Sequence, residues 1–154
     1  MSTARTDTLE QFRAAHAASS LSALPVHWPN VKKKRSKTRQ GTTRDAKKWF
    51  RISWQIIDRK QSTVGGANGN RRFRTMGLVT VECYGPKAED VADGTKGGEL
   101  QTLEMVEMAL GAFEGKVTTN GVEFFDVQPR VIGVEGNWYR MDVLSSFQFD
   151  EVRS

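Results

Sequence analysis

The sequence predicts an α+β protein: a mainly antiparallel sheet with a long protruding β-hairpin, packed against one main helix and a short N-terminal helix. Three observations carry this. Apolar residues alternate with period two over residues 49–57, 72–84 and 138–149, the pattern of half-buried strands. One amphipathic segment, residues 99–114, is long enough to cover such a sheet. The 154 residues suit a single domain with its own core, and strands grouped in runs between helices point to two layers.

Residues 8–18 form the short helix, with Leu9, Phe12 and Ala15 at helical intervals and Asp7 and Glu10 at capping-box spacing. Ser19, Ser20 and Ser22 loosen the chain, and Pro25 and Pro29 keep residues 24–31 extended. There Val26 and Trp28 lie two apart, as on one face of a strand or an anchored loop. Residues 32–48 lack apolar periodicity and read as a mobile basic loop. A strand opens at Trp49, with Phe50, Ile52, Trp54 and Ile56 on one face, and breaks over residues 58–70 at the polar tip Gly65-Gly66-Ala67-Asn68-Gly69-Asn70. A second strand, residues 72–84, sets Val79, Val81 and Cys83 on one face and ends at Gly85-Pro86. Together they make a hairpin with arms near thirteen residues, longer than the usual five or six. After a polar loop at 87–98 comes the main helix. Its apolar stripe reads as Leu100, Leu103, Val106, Leu110 and Phe113, with Gly115 as C-cap. Three strands follow, at 122–125, 127–134 and 138–149, the last two joined by Glu135-Gly136-Asn137.

The charge is concentrated. The chain holds 23 Lys+Arg and 18 Asp+Glu, a net +5, but residues 32–48 alone hold nine basic residues and one acid. The rest is therefore slightly acidic. One cysteine, Cys83, excludes an internal disulfide framework and a cysteine-based zinc site. Lying on the apolar face of its strand, it reads as a buried structural thiol. His16 and His27 stand eleven residues apart with no HExxH pattern. Glu89, Asp90 and Asp93 do not follow the calcium-loop alternation and read as a solvated acidic loop. The glycine-rich tip opens no helix and so makes no phosphate cradle. GxSxG, GxxxxGK[ST] and paired CxxC are missing. The expectation is a protein that is not an enzyme and has no catalytic, cofactor or metal residues. No apolar run reaches the length of about 20 residues that spans a bilayer, and no secretory signal is read.

What remains is surface charge. The segment Lys32, Lys33, Lys34, Arg35, Lys37 and Arg39 suits phosphate, nucleic acid or an acidic protein surface. It has no interleaved aromatics of the kind that stack on single-stranded bases. Arg59, Lys60, Arg71, Arg72 and Arg74 make the distal half of the first hairpin basic, whereas residues 82–107 are acidic, including Glu89, Asp90 and Asp93. Opposite signs on separate elements favour head-to-tail contacts that close into rings.

These pieces resemble a family. Leu24-Pro25-Val26-His27-Trp28-Pro29-Asn30 and the strand opening at Trp49 come first. Gly77-Leu78-Val79-Thr80-Val81, Gly85-Pro86 and a glycine-rich loop follow. Then come Ala109-Leu110-Gly111-Ala112-Phe113-Glu114-Gly115 and Gly133-Val134-Glu135-Gly136-Asn137-Trp138-Tyr139-Arg140-Met141-Asp142-Val143. In this order and at these distances the chain resembles the tail terminator (tail completion) proteins of long-tailed bacteriophages, minor tail proteins of the virion. The resemblance covers nearly the whole chain as one tail-terminator-like domain. It departs at residues 32–48, more basic than the family's usual connection. It implies a homo-hexameric ring that caps the tail tube at its head-proximal end, stops tube polymerisation and docks the head–tail connector (neck) protein. It further implies synthesis in the bacterial host cytoplasm, no cofactor and no membrane.

On that basis Arg59, Lys60, Arg71, Arg72, Arg74, Glu89, Asp90 and Asp93 are expected at subunit or tube interfaces. Lys32, Lys33, Lys34, Arg35, Lys37 and Arg39 are expected to meet the neck protein or DNA in the channel. Two alternatives stay open at this point: a nucleic-acid-binding protein tethered by residues 32–48, and another tail-tube or neck subunit.

Overall fold

The computed structural model describes residues 2–29, 48–63, 71–86, 98–136 and 138–153. The elements are α1 (Ser2–Ala18), β1 (Val26–His27), β2 (Trp49–Gln61), β3 (Arg71–Pro86), α2 (Gly98–Phe113), β4 (Glu123–Glu135) and β5 (Trp138–Arg153). All strands join one five-stranded sheet in the order β1-β2-β3-β5-β4, antiparallel except where β1 runs parallel to β2. The predicted α+β class, with a mostly antiparallel sheet, is what forms.

The alternation of each strand sorts the sheet into two faces. Phe50, Ile52, Val79, Val81, Cys83, Met141, Val143 and Phe147 project to the helical side and are buried there with Phe12 of α1 and Met105, Val106, Ala109 and Phe113 of α2. Phe12 sits at the junction, its ring 5.8 Å from Phe50, 6.1 Å from Trp28 and 6.3 Å from Phe113. Arg51, Ser53, Gln55, Leu78, Thr80, Glu82, Asp142, Leu144 and Ser146 project to the other face, which neither helix covers.

One glycine is demanded by packing. Gly77 lies between Ile56 and Phe147 across the sheet, and a Cβ there would collide with the Phe147 ring and the Gln55 carbonyl oxygen. The space lets the Phe147 ring lie flat, stacked on Trp54 at 5.2 Å.

Several elements differ from the sequence reading. α1 starts at Ser2, so Asp7 lies inside the helix and not at its cap. Ala4 and Thr8 continue the buried face toward the N-terminus, and the Thr8 hydroxyl donates to the Ala4 carbonyl. β2 does not break at Asp58: it bulges at Ile57 and stays paired as far as Gln61, which lies opposite Phe73. β3 is in turn paired with β5 out to Arg71 opposite Arg153, so the arm has three strands. The two strands expected at 122–125 and 127–134 are one strand, β4, kinked at Asp126 (φ 51°) and again before Gly133 (φ 96°).

The helix stripe is also corrected. Val106 and Phe113 of the expected stripe are buried and Leu110 packs against the core, but Leu100 and Leu103 are exposed, and Thr102, Met105, Ala109 and Ala112 complete the buried side. At about 100° per residue the buried set centres half a turn from Leu100, on the smaller side chains. Gly115, at φ 62°, ends the helix as expected.

Candidate interaction surfaces

The basic arm is not a free row of cations. Arg74 Nε and Nη2 donate to Asp150 at 3.0 and 3.1 Å, and Arg72 donates to the same carboxylate. These hydrogen bonds hold the Asp150 carboxyl below its ordinary 3.8, Arg74 contributing most. Arg59 lies over the Phe73 ring at 4.6 Å and reaches Glu151 at 3.3 Å. Lys60 pairs with Asp58 at 2.8 Å. The two carboxylates that pair with three of the five arm cations, Asp150 and Glu151, come from β5, 76 to 92 residues away in sequence. Nothing local in the basic stretch announces them. The signal available was the alternation of β5, which runs past Phe149 and brings Asp150 opposite Arg74. Of the five, Arg71 is the one without an ion pair among the described residues. Its neighbours Arg72, Arg74 and Asp150 line a polar recess with Gln148, Glu123 and Asn120.

A second charged cluster, not anticipated from sequence, lies at the opposite end of the uncovered sheet face. Pairing puts Glu82 of β3 directly across from Asp142 of β5, a repulsive arrangement on its own. Arg140 resolves it. Its guanidinium donates to Asp142 at 2.8 and 2.9 Å, to Glu82 at 3.0 Å and to Glu135 at 2.8 Å. The Asp142 hydrogen bonds, first among its partners, raise the Arg140 pKa further. Arg51 donates to Glu82 from the other side, and the Tyr84 hydroxyl donates to it at 3.2 Å. Burial, with Glu82 adding to it, pushes the Tyr84 phenol up to about 12. The Tyr84 ring is stacked under Trp49 at 3.9 Å, and His27 and Trp138 meet Trp49 edge-on. Four aromatic rings and five charged groups thus brace the end of the sheet. This cluster is internally satisfied, and its chemistry is that of a rigid surface.

The third surface is apolar. The outer half of β4 is exposed, with Val131 at 60% and Val134 at 66%. Their partners across the ladder are Met141 and Tyr139, so both face the helical side beyond the cover that the helices give. Leu100 and Leu103 of α2 are 55% and 37% exposed.

The remaining sequence-derived candidates divide simply. Lys32, Lys33, Lys34, Arg35, Lys37 and Arg39 lie outside the described residues, as do Glu89, Asp90, Asp93 and the tip at 65–70. Cys83 is fully buried, and burial together with Asp142 and Glu82 pushes its thiol well above the ordinary range. His16 is buried against Phe12 and Phe50. Among the described residues no three His, Cys, Asp or Glu side chains are grouped to hold a metal, and no helix is long and apolar enough to cross a membrane.

The fold and these surfaces define an α+β protein with one mixed sheet, helices on one face, and charge and apolar groups displayed on separate elements. No family model matches the chain, and no curated protein matches it. Among solved structures, one that bears only a sequence identifier matches with a TM-score of 0.56 and 14% identity, over 97% of this chain and 93% of that one. The likeness is one of fold.

Proposed function

We propose that this chain is a ring-forming tail terminator subunit, a virion protein that caps the tail tube as a homo-hexamer and offers its outer surface to the neck proteins. The observation that carries the reading is the exposed pair Val131 and Val134 on one face of β4, set apart from the exposed Leu100 and Leu103 of α2. Clustered apolar side chains mark contact surfaces, and two unlike clusters on one chain suit heterologous contacts that close a ring. The whole-chain resemblance in residue order supports the same reading, and the α+β fold is compatible with it.

In this reading one axial face of the ring mimics a tube ring and binds the tube, and the other lacks the tube's self-docking surface. Growth stops because the next tube subunit finds no partner, with no bond broken and no catalytic residue involved. Arg71, unpaired among the described residues, is the arm residue best placed for tube or subunit contact; Arg59, Lys60, Arg72 and Arg74 shape the same surface. The test is mass measurement and negative-stain microscopy of the full chain, with a six-fold ring expected. Phage assembled without the protein is expected to carry overlong tails. A chain that stays monomeric at all concentrations, with tails of normal length in its absence, overturns the proposal. Monomers whose DNA affinity falls by about 10³ between roughly 50 and 200 mM salt point instead to an electrostatic nucleic-acid tether.

A further inference from the structure

We propose that Arg71 and Arg153, facing each other across the end of the arm, hold the carboxylates Glu107 and Glu114 of α2 in a neighbouring copy of this chain. The inference deepens the ring reading and rests on it. β3 and β5 pair Arg71 directly with Arg153, two positions beyond Phe73 and Glu151 on the same face. Like charges directly opposite one another destabilise a ladder. At the other end of the sheet Glu82 and Asp142 pose the same problem, and Arg140 of the same chain resolves it. The arm end has no such remedy among the described residues. Glu151, the carboxylate beside the pair, already serves Arg153 at 3.2 Å and Arg59 at 3.3 Å. Arg71 makes no ion pair among the described residues. Both guanidiniums are exposed, and their planar donor sets suit carboxylates.

The complementary surface is on α2. Residues 98–114 include Glu99, Glu104, Glu107 and Glu114 and no Lys or Arg. Glu107 and Glu114 are exposed and make no ion pair among the described residues. The Glu114 amide donates to the Leu110 carbonyl at 2.9 Å, so the helical path extends to it. Seven residues apart, the two carboxylates lie within about 20° of one line along the helix and roughly 10 Å from each other. Two long arginine side chains rooted about 5 Å apart can splay to that span. Within one chain the halves are separated. Phe113 packs on Phe124, and the Gly77–Phe147–Phe124 row lies six residues, about 20 Å, short of Arg71. A protein partner fits better than nucleic acid, because a phosphate backbone needs a run of free cations and Asp58, Asp150 and Glu151 interrupt this one. Each copy carries both halves, so the contact repeats head to tail and closes when the rotation permits.

The experiment uses the full chain. Arg71→Glu sets opposite charges across the ladder, so its thermal midpoint is expected to hold or rise while its assembled fraction falls at least tenfold by mass measurement. Adding Glu107→Arg or Glu114→Arg to Arg71→Glu is expected to restore assembly. Arg71→Cys with Glu107→Cys in the same chain is expected to give a ladder of disulfide-linked oligomers on a non-reducing gel after mild oxidation. Each single cysteine variant is expected to remain monomeric there, since Cys83 is buried. Rings that persist in Arg71→Glu, with no ladder from the double cysteine chain, overturn this contact and leave the ring reading standing. A midpoint that falls together with assembly makes the pair a support of the fold and overturns the contact too. So does intact assembly with loss of duplex DNA binding at low salt, which assigns the pair to phosphate. A wild-type chain that never assembles overturns both the contact and the ring.

Discussion

At the scale of single residues, Gly77 and Asp150 show how much depends on partners distant in sequence. Gly77 is fixed by the Phe147 ring and by the Gln55 carbonyl, and nothing in its own segment distinguishes it from a flexible position. Gly77→Ala must displace an aromatic stack and strand backbone together, so it is expected to cost about 1–3 kcal/mol or more of stability, read as a lower urea midpoint at unchanged slope. Asp150 carries a sign. Its carboxyl is held below the ordinary 3.8 by Arg74 and Arg72, so its stabilising contribution is complete above that value and is lost as pH falls through the depressed one. Carboxyl NMR titration of Asp150 is expected to give a midpoint below 3.8, returning toward it in Arg74→Ala. Asp150→Asn is expected to weaken the acid dependence of arm stability, followed by amide exchange in β3. A normal midpoint with both arginines present would mean that the arm cations are free. Cys83 needed no partner to be read correctly: its place on an alternating apolar face gives a buried thiol, and the residue is fully buried.

At the scale of elements, legibility followed how much of the stabilising contact was local. The alternation of β2, β3 and β5 was plain in the sequence because burial on one face imposes period two on the residues themselves. Their ends were not, because residues 58–61 and 150–153 are held in the sheet by pairing with one another through β3 and not by apolar pattern. The pattern of large apolar residues gives α2 and its buried Val106 and Phe113, but it misplaces Leu100 and Leu103, because the helix turns toward the sheet the side where Ala109 and Ala112 allow close approach. The first turns of α1 are not legible in the sequence, because Ala4 and Thr8 are weak apolar signals. That helix is tied to the rest by Asp7, whose carboxylate accepts from Thr118 Oγ1 at 2.9 Å and from Asn120 Nδ2 at 2.9 and 3.0 Å. Its main anchor is Phe12. Phe12→Ala removes a fully buried ring from the junction of α1, α2 and β2, and is expected to cost about 3–5 kcal/mol in denaturant unfolding. A loss near zero would mean that α1 contributes little to the core.

At the scale of the whole molecule, the sheet is coated by helices on one face, and the surfaces suited to partners lie at its ends and on the outer side of α2. The ring proposed for it requires each copy to present two unlike surfaces, and the exposed Val131 and Val134 of β4 and the exposed Leu100 and Leu103 of α2 are the apolar candidates for them. The arm, the first candidate from charge counting, stays net basic, but most of its cations are paired once β5 lies along it. The sequence by itself determined the α+β class, the strand faces, the buried thiol and the C-cap of α2, because each follows from local periodicity or from the backbone freedom of one residue. Only the tertiary structure decided that β5 supplies carboxylates to the arm arginines, that Arg140 reconciles Glu82 with Asp142, and that Leu100 and Leu103 face outward. Those outcomes depend on strand register and on which face of a helix packs closest, and contacts between residues far apart in the chain set both.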